Sequence, residues 1–274
     1  MGGAQMRKMI SYLAARIILV LFLTFTSLSA RESNENSWRN WSQGTAYLLP
    51  TGRMEVGLFQ PLRYGCSESL EFSTHPLVCI LMPNLSAKWS HGSFGGYILS
   101  SRHSVYYPTP LLRTFAREEI GGMISPEFDI PGMVSLYNEI LLSKQITEDH
   151  LFTGKGGFAI AFKSGELDER STIDLPLVFP RLAIFYNGYG FRFGGDLQGK
   201  FVKRWYYLVD VDIFYAPGAE ENMAFEHKGL FLWTKSQRFQ LCVGYKLVYG
   251  EYPFGAQWHF LLPLFDLQWS WQLK

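Results

Sequence analysis

Apolar and polar residues alternate one by one through long stretches of the chain, and the C-terminal stretch does so without a fault. Phe265, Leu267, Trp269, Trp271 and Leu273 fall on one side, and Asp266, Gln268, Ser270 and Gln272 on the other. A period of two is the mark of a strand with one apolar and one polar face. Residues 238–250 repeat it, with Phe239, Leu241, Val243, Tyr245, Leu247 and Tyr249 opposed to Arg238, Gln240, Cys242, Gly244 and Lys246. Between 201 and 215 the odd positions are apolar except Lys203, while Arg204, Asp210 and Asp212 hold even ones. The same reading predicts strands over 45–49, 53–60, 69–74, 84–90, 94–106, 134–145, 157–163, 172–194 (one interrupted strand or two), 201–215, 223–235, 238–250 and 258–273. That makes about twelve, within roughly ten to fourteen.

The length of these strands selects the architecture. A strand tilted by about 45° needs roughly 9 to 11 residues to cross the hydrocarbon layer of a membrane, whereas strands of soluble sheets run to about five or six. The longest runs reach the membrane figure. Short turns carrying Pro, Gly, Ser and Gln separate several of them, at Pro50-Thr51-Gly52, Gly92-Ser93, Gln198-Gly199-Lys200 and Ser236-Gln237. The expected fold class is therefore all-β, an antiparallel up-and-down transmembrane β-barrel. Closure pairs every backbone donor and acceptor where no water reaches, and it removes sheet edges. A soluble β-sandwich would instead need a second sheet to bury the face bearing Trp269 and Trp271.

One connection departs from the pattern. Residues 108–132 hold four prolines and no alternating run. Thr109-Pro110, then 111–120, then Gly121-Gly122 predict one short helix with an N-cap, a Pro in its first turn and a glycine stop. Loops of this length are uncommon unless they have a task. Leu111, Leu112, Phe115 and Ile120 are the side chains by which such a loop would plug the barrel.

Residues 1–30 read as a cleavable signal peptide: Arg7, Lys8 and Arg16 are basic, 17–25 are apolar, and Ser27, Ser29 and Ala30 are small. A flexible lead-in over 31–43 and a barrel domain over 44–274 follow. Export brings the cysteines into an oxidising compartment. Cys66 and Cys79 flank the strand at 69–74 and are the candidate disulfide pair, with Cys242 left free.

Composition agrees with a packed, aromatic chain. Charged residues are 18%, below the roughly 25% of an ordinary soluble domain, and aromatics are 16% of 274 residues. A net charge of +1 gives no global field for nucleic acid, which is excluded as a partner. There is no G-x-x-x-x-G-K-[ST], H-E-x-x-H or C-x-x-C, so no cofactor and no metal are expected. The polar faces supply the candidate lumen charges Glu55, Lys88, Glu139, Lys144, Lys163, Arg204, Asp210, Asp212, Arg238, Lys246 and Asp266. In a barrel narrower than a 16-stranded porin, both signs meet in a small space and bridge across it.

Signal peptide, long amphipathic strands, hairpins, aromatics on the apolar face and an aromatic C-terminal strand together resemble a bacterial outer-membrane β-barrel protein. The resemblance implies outer-membrane location, lipid as a partner, and one of two roles. The first is a narrow channel or passive small-solute pore; the alternative is a structural barrel with a closed lumen that contacts other envelope proteins. His91-Gly92-Ser93 resembles the His-x-Ser of outer-membrane phospholipases, which makes His91 and Ser93 the candidate catalytic pair of a minor hydrolase alternative. The same three residues also read as a hairpin turn.

Overall fold

The computed structural model describes residues 39–118, 124–168, 171, 183–217, 222–251 and 255–273. The expected signal peptide, 1–30, and residues 31–38 of the expected lead-in lie outside them. Twelve strands follow one another: β1 (Arg53–Gly57), β2 (Leu62–Ser67), β3 (Leu70–Thr74), β4 (Asn84–Phe94), β5 (Tyr97–Tyr106), β6 (Met133–Thr147), β7 (His150–Lys163), β8 (Tyr189–Val202), β9 (Trp205–Tyr215), β10 (Met223–Ser236), β11 (Phe239–Gly250) and β12 (Gln257–Gln272). Each pairs antiparallel with the next, and β1 pairs with β12 from Arg53↔Gln272 to Gly57↔Gln268, so the sheet closes into a barrel. The turns at one rim are short, as at 95–96 and 203–204, while the opposite rim carries the long connections at 75–83, 107–132 and 164–188. That asymmetry sets two unlike mouths.

The alternation decides what faces where. On β6, Met133, Ser135, Tyr137, Glu139, Leu141 and Ser143 point inward and are buried, while Leu136, Ile140 and Leu142 point outward and are exposed. Phe193, Phe231, Val243 and Phe265 extend the exposed apolar surface around the barrel. Several elements depart from the sequence reading. Strand β7 begins at His150, seven residues before the expected start, because Gly154, Gly156 and Gly157 interrupt the apolar pattern that would have marked it. Gly157 serves a close approach, since a Cβ there would lie 2.3 Å from Tyr137 Oη. Strand β2, also unforeseen, is six residues long with a bulge between Gly65 and Ser67, too short for a readable period. Most of the strand expected over 172–194 lies outside the described residues, and β8 starts at Tyr189.

Among the described residues, three short helices sit at the long-connection rim: α1 (Pro76–Cys79), α2 (Thr109–Phe115) and α3 (Ile184–Asn187). Helix α2 stops at Phe115, short of the expected 120, and Ile120 lies outside the described residues. Leu111 and Leu112 are buried against Met82, Ile130, Tyr137 and Phe185, with Phe115 packed at the edge of this cluster. Thr109 Oγ1 donates to Pro131 O at 3.0 Å and accepts from Met133 N–H at 2.7 Å, which ties the two ends of the long connection together. The candidate Cys66–Cys79 bridge does not form: all three cysteines are free. Cys66 lies near the short β2–β3 turn and Cys79 in α1 beyond the other end of β3. The length of that strand separates them, whereas a disulfide needs Cα atoms about 5.5 Å apart.

Candidate functional site

The lumen holds the densest collection of charges, and the chain itself enters it. Where the sequence predicts a strand at 45–49, the structure has an irregular segment, with bends at 45 and 46, that joins no sheet; Ala46, Leu48 and Leu49 are buried inside the barrel. The described end of the expected flexible lead-in, 39–43, goes in with it, and Ser42 is fully buried. Wall side chains replace the missing ladder. Ala46 N–H donates to Ser143 Oγ at 2.8 Å, Leu49 N–H to Glu71 Oε2 at 2.9 Å and Trp41 N–H to Glu55 Oε1 at 3.0 Å. Lys88 Nζ donates to Tyr47 O at 2.7 Å, and Arg63 to Ser42 Oγ at 3.1 Å. Such bonds satisfy a buried backbone that has no strand partner.

The wall charges that hold the segment are themselves paired. Arg63 joins Glu55 at 3.1 Å and Glu71 at 2.8 Å, and Arg53 joins Glu55 at 2.8 Å. A second cluster sits on β5 to β10. Lys155 Nζ meets Asp196 at 2.7 Å, Asp210 at 3.0 Å and Asp212 at 3.2 Å; Arg192 joins Glu139 at 3.1 Å and also Asp212; Arg102 pairs with Glu139. Lys228 approaches Asp210 at 3.5 Å, and Lys246 pairs with Glu226 at 2.9 Å. Each of these pairs links strands no more than two apart in the barrel order. The bridges therefore run along the wall, where the sequence reading had them crossing the lumen. A cavity of about 600 Å³ remains, lined by Arg63, Glu71, Arg102, Arg192, Asp210 and Lys228 among others, and by Trp41 and Gln43 of the inserted segment.

The sequence-selected residues divide by position. Glu55, Lys88, Glu139, Asp210, Asp212 and Asp266 are buried on the inward face, and Lys246 points inward as well. Asp266 Oδ1 accepts from Phe59 N–H at 2.9 Å. Four others do not line the interior. Lys144 is on the outward parity of β6, its Nζ 4.5 Å from the centre of the Tyr97 ring. Arg204 and Arg238 are exposed in the short β8–β9 and β10–β11 turns, and Lys163 is exposed at the last position of β7. Arg63, Glu71, Arg102, Lys155, Arg192, Asp196, Glu226 and Lys228 line the lumen without having been selected from the sequence. His91 and Ser93 are both exposed near the β4–β5 turn, and His91 Nε2 lies 2.8 Å from Ser101 Oγ on the next strand instead of engaging Ser93.

One anchor of the inserted segment lies outside the strands. Arg39 NH2 meets Glu68 Oε2 at 2.8 Å in the β2–β3 turn, and Thr51 Oγ1 donates to Glu68 Oε1 at 3.0 Å. The hydrogen bond from Arg39, then that from Thr51, hold the Glu68 carboxyl below its ordinary range. A lowered carboxylate pKa contributes stability above the unfolded value, about 4.3, and loses it as pH falls through the folded value. The clamp is solvent-exposed on the Glu68 side, so its share is small. Acidification below that range, or Glu68→Gln at neutral pH, is expected to raise proteolysis at Arg39 slightly while the barrel stays intact. No change in cleavage in either case would remove Glu68 from the anchoring.

No protein-family model matches the chain, and no curated protein matches it. Among solved structures it is similar to the outer-membrane channel DcaP of Acinetobacter baumannii, with a TM-score of 0.37 and 8% identity over 78% of this chain and 62% of that one. It is also similar to a bacterial polysaccharide outer-membrane secretin, with a TM-score of 0.41 and 6% identity over 81% and 70%, and to OccAB2 of Acinetobacter baumannii, at 0.35 and 11% over 78% and 54%. The chain thus spans just over half to about two thirds of the length of these proteins. The closed sheet of twelve antiparallel strands is itself the architecture of an outer-membrane β-barrel.

Proposed function

We propose that the protein is an outer-membrane barrel forming a narrow channel for small polar solutes, held shut at its short-turn mouth by its own N-terminal segment. The apolar exterior supports a membrane setting, because so large an exposed apolar surface is unfavourable in water. The observation that carries the channel reading is the direction of the ion pairs. They follow the wall, so the axis is obstructed by the inserted 39–49 segment and not by bridges between opposite strands. A cavity of about 600 Å³ lined by both signs suits a small neutral or zwitterionic solute, which both lining signs can solvate. The exported chain would need no cofactor for this.

A variant lacking residues 31–48 keeps all twelve strands and tests the reading. It is expected to show larger single-channel conductance in a planar bilayer than the parent, with unchanged heat-resistant migration of the folded barrel. A folded variant as impermeable as the parent would overturn the channel. The closed, structural barrel would then hold, and the one observation favouring it is the buried α2 cluster at the long-connection rim.

A further inference from the structure

Both signs line the lumen, but they are not presented to it equally. In the cluster on β5 to β10, the side chains of Arg102, Arg192 and Lys228 are between 19% and 29% exposed, whereas those of Glu139, Asp196, Asp210 and Asp212 are no more than 8% exposed. The three cations line the cavity from the inward faces of β5, β8 and β10, so their exposure is to its interior. Glu226, on the inward face of β10, is no more open than the Lys246 that pairs with it. Each pair of the cluster therefore sets a cation in front of a recessed carboxylate.

A glycine makes the arrangement possible. Arg102, Glu139, Gly157 and Arg192 are successive cross-strand partners on β5, β6, β7 and β8. With no side chain at 157, Arg192 reaches over β7 to Glu139 Oε1 at 3.1 Å, while Arg102 takes Oε2 from the other side. One carboxylate thus holds two guanidinium groups next to each other. Tyr137 O–H donates to Glu139 Oε1 at 3.2 Å, and its oxygen accepts from Arg192 at 3.5 Å. Lys155 bridges Asp210 and Asp212, of which the first also holds Lys228 and the second Arg192, so the third cation belongs to the same network. Arg192 Nε–H is buried without a hydrogen-bond partner among the described residues. Arg102 also donates to Gln43 O of the inserted segment at 3.3 Å, which places the pair just beyond that segment.

We propose that Arg102 and Arg192, with Lys228, form a binding site for the oxyanion group of a small solute, a carboxylate or a phosphate. Planar guanidinium forks take either group through charge-assisted hydrogen bonds. The carboxylates behind hold the forks in place and offset the repulsion of three gathered cations, yet they are too recessed to meet the solute. In a cleft with low-dielectric walls the charges nearest the opening dominate the local potential. The cavity of about 600 Å³ leaves room for the rest of a small molecule. The site rests on the reading of the lumen as a channel, whose zwitterionic solutes carry such a group, and adds which end is held and by which side chains.

Isothermal titration of succinate, inorganic phosphate and glycerol tests this, at constant ionic strength in uncharged detergent. Each is added to the folded full-length protein and to the variant lacking residues 31–48. Saturable binding of at least one anion is expected, and none of glycerol; succinate alone would assign a carboxylate, phosphate alone a phosphate. Arg102→Gln and Arg192→Gln should each weaken binding about 10- to 100-fold, the loss of hydrogen bonds to a charged group, and Lys144→Gln on the outer face should change nothing. Glu139→Gln removes the internal competitor for both forks and should tighten binding, a sign that a purely structural network would not give. No binding of either anion by both folded proteins, or folded arginine variants that bind like the parent, overturns the site. Should the arginine variants fail to fold, Glu139→Gln decides, and unchanged or weaker binding overturns it. Binding by a barrel whose deletion variant stays impermeable keeps the site and removes the channel, whereas conduction without binding does the reverse.

Discussion

Lys155→Met is expected to destabilise the barrel by about 3–5 kcal/mol, the usual cost of removing one partner from a buried ion pair. Its ammonium is almost fully buried and is the cation shared by Asp196, Asp210 and Asp212. Methionine keeps the length and packing of the side chain but leaves three carboxylates crowded on β8 and β9, with Arg192 and Lys228 to compensate. The penalty is therefore mostly that of uncompensated buried charge, since replacing a whole pair by apolar groups is often neutral. Urea unfolding in detergent, followed by tryptophan fluorescence, should show the drop in midpoint. Lys144→Met, on the outward face beside Tyr97, supplies the control and should stay within about 0.5 kcal/mol, as surface changes do. Equal losses in the two variants would reject the wall network as a structural element.

What the sequence disclosed, and what it hid, follows from how cleanly each strand alternates. Asp210 and Asp212 in β9, and Asp266 in β12, sit between apolar neighbours of opposite parity, so their inward direction is readable. Strand β6 is apolar at both parities, with Val134, Leu136 and Ile140 on one and Tyr137 and Leu141 on the other. The phase of Lys144 was consequently ambiguous. Arg204 and Arg238 lie one residue beyond strand ends, where the alternation has already stopped constraining direction. Lys155, Arg192 and Asp196 were missed because glycines at 154, 156, 157, 190, 194 and 195 dilute the pattern on β7 and β8. Extending the period through those glycines would have found them.

The inserted N-terminal segment illustrates a different limit. A segment threaded into a lumen buries apolar residues such as Ala46, Leu48 and Leu49 just as a strand does. Its backbone partners are side chains of Glu71, Lys88 and Ser143 in place of a neighbouring ladder. No periodicity distinguishes the two.

Val243→Arg is expected to cost the barrel roughly 2–4 kcal/mol when it folds into lipid, the penalty of an arginine near the bilayer midplane. Val243 lies in the middle of β11, opposite Phe231 on β10 and Phe265 on β12, and all three are exposed on the outward face. In a soluble sheet, a charge at an exposed position would be neutral or would improve solubility, so the sign and size of the effect separate the two settings. Gln237→Arg, in the short β10–β11 turn and exposed, places the same charge where headgroups and water solvate it. There the cost should fall to about 0–1 kcal/mol. Folding yield into phosphatidylcholine vesicles, read by heat-resistant migration, compares the two directly. Similar yields would mean that β11 does not face lipid, and the membrane reading of the exterior would fall.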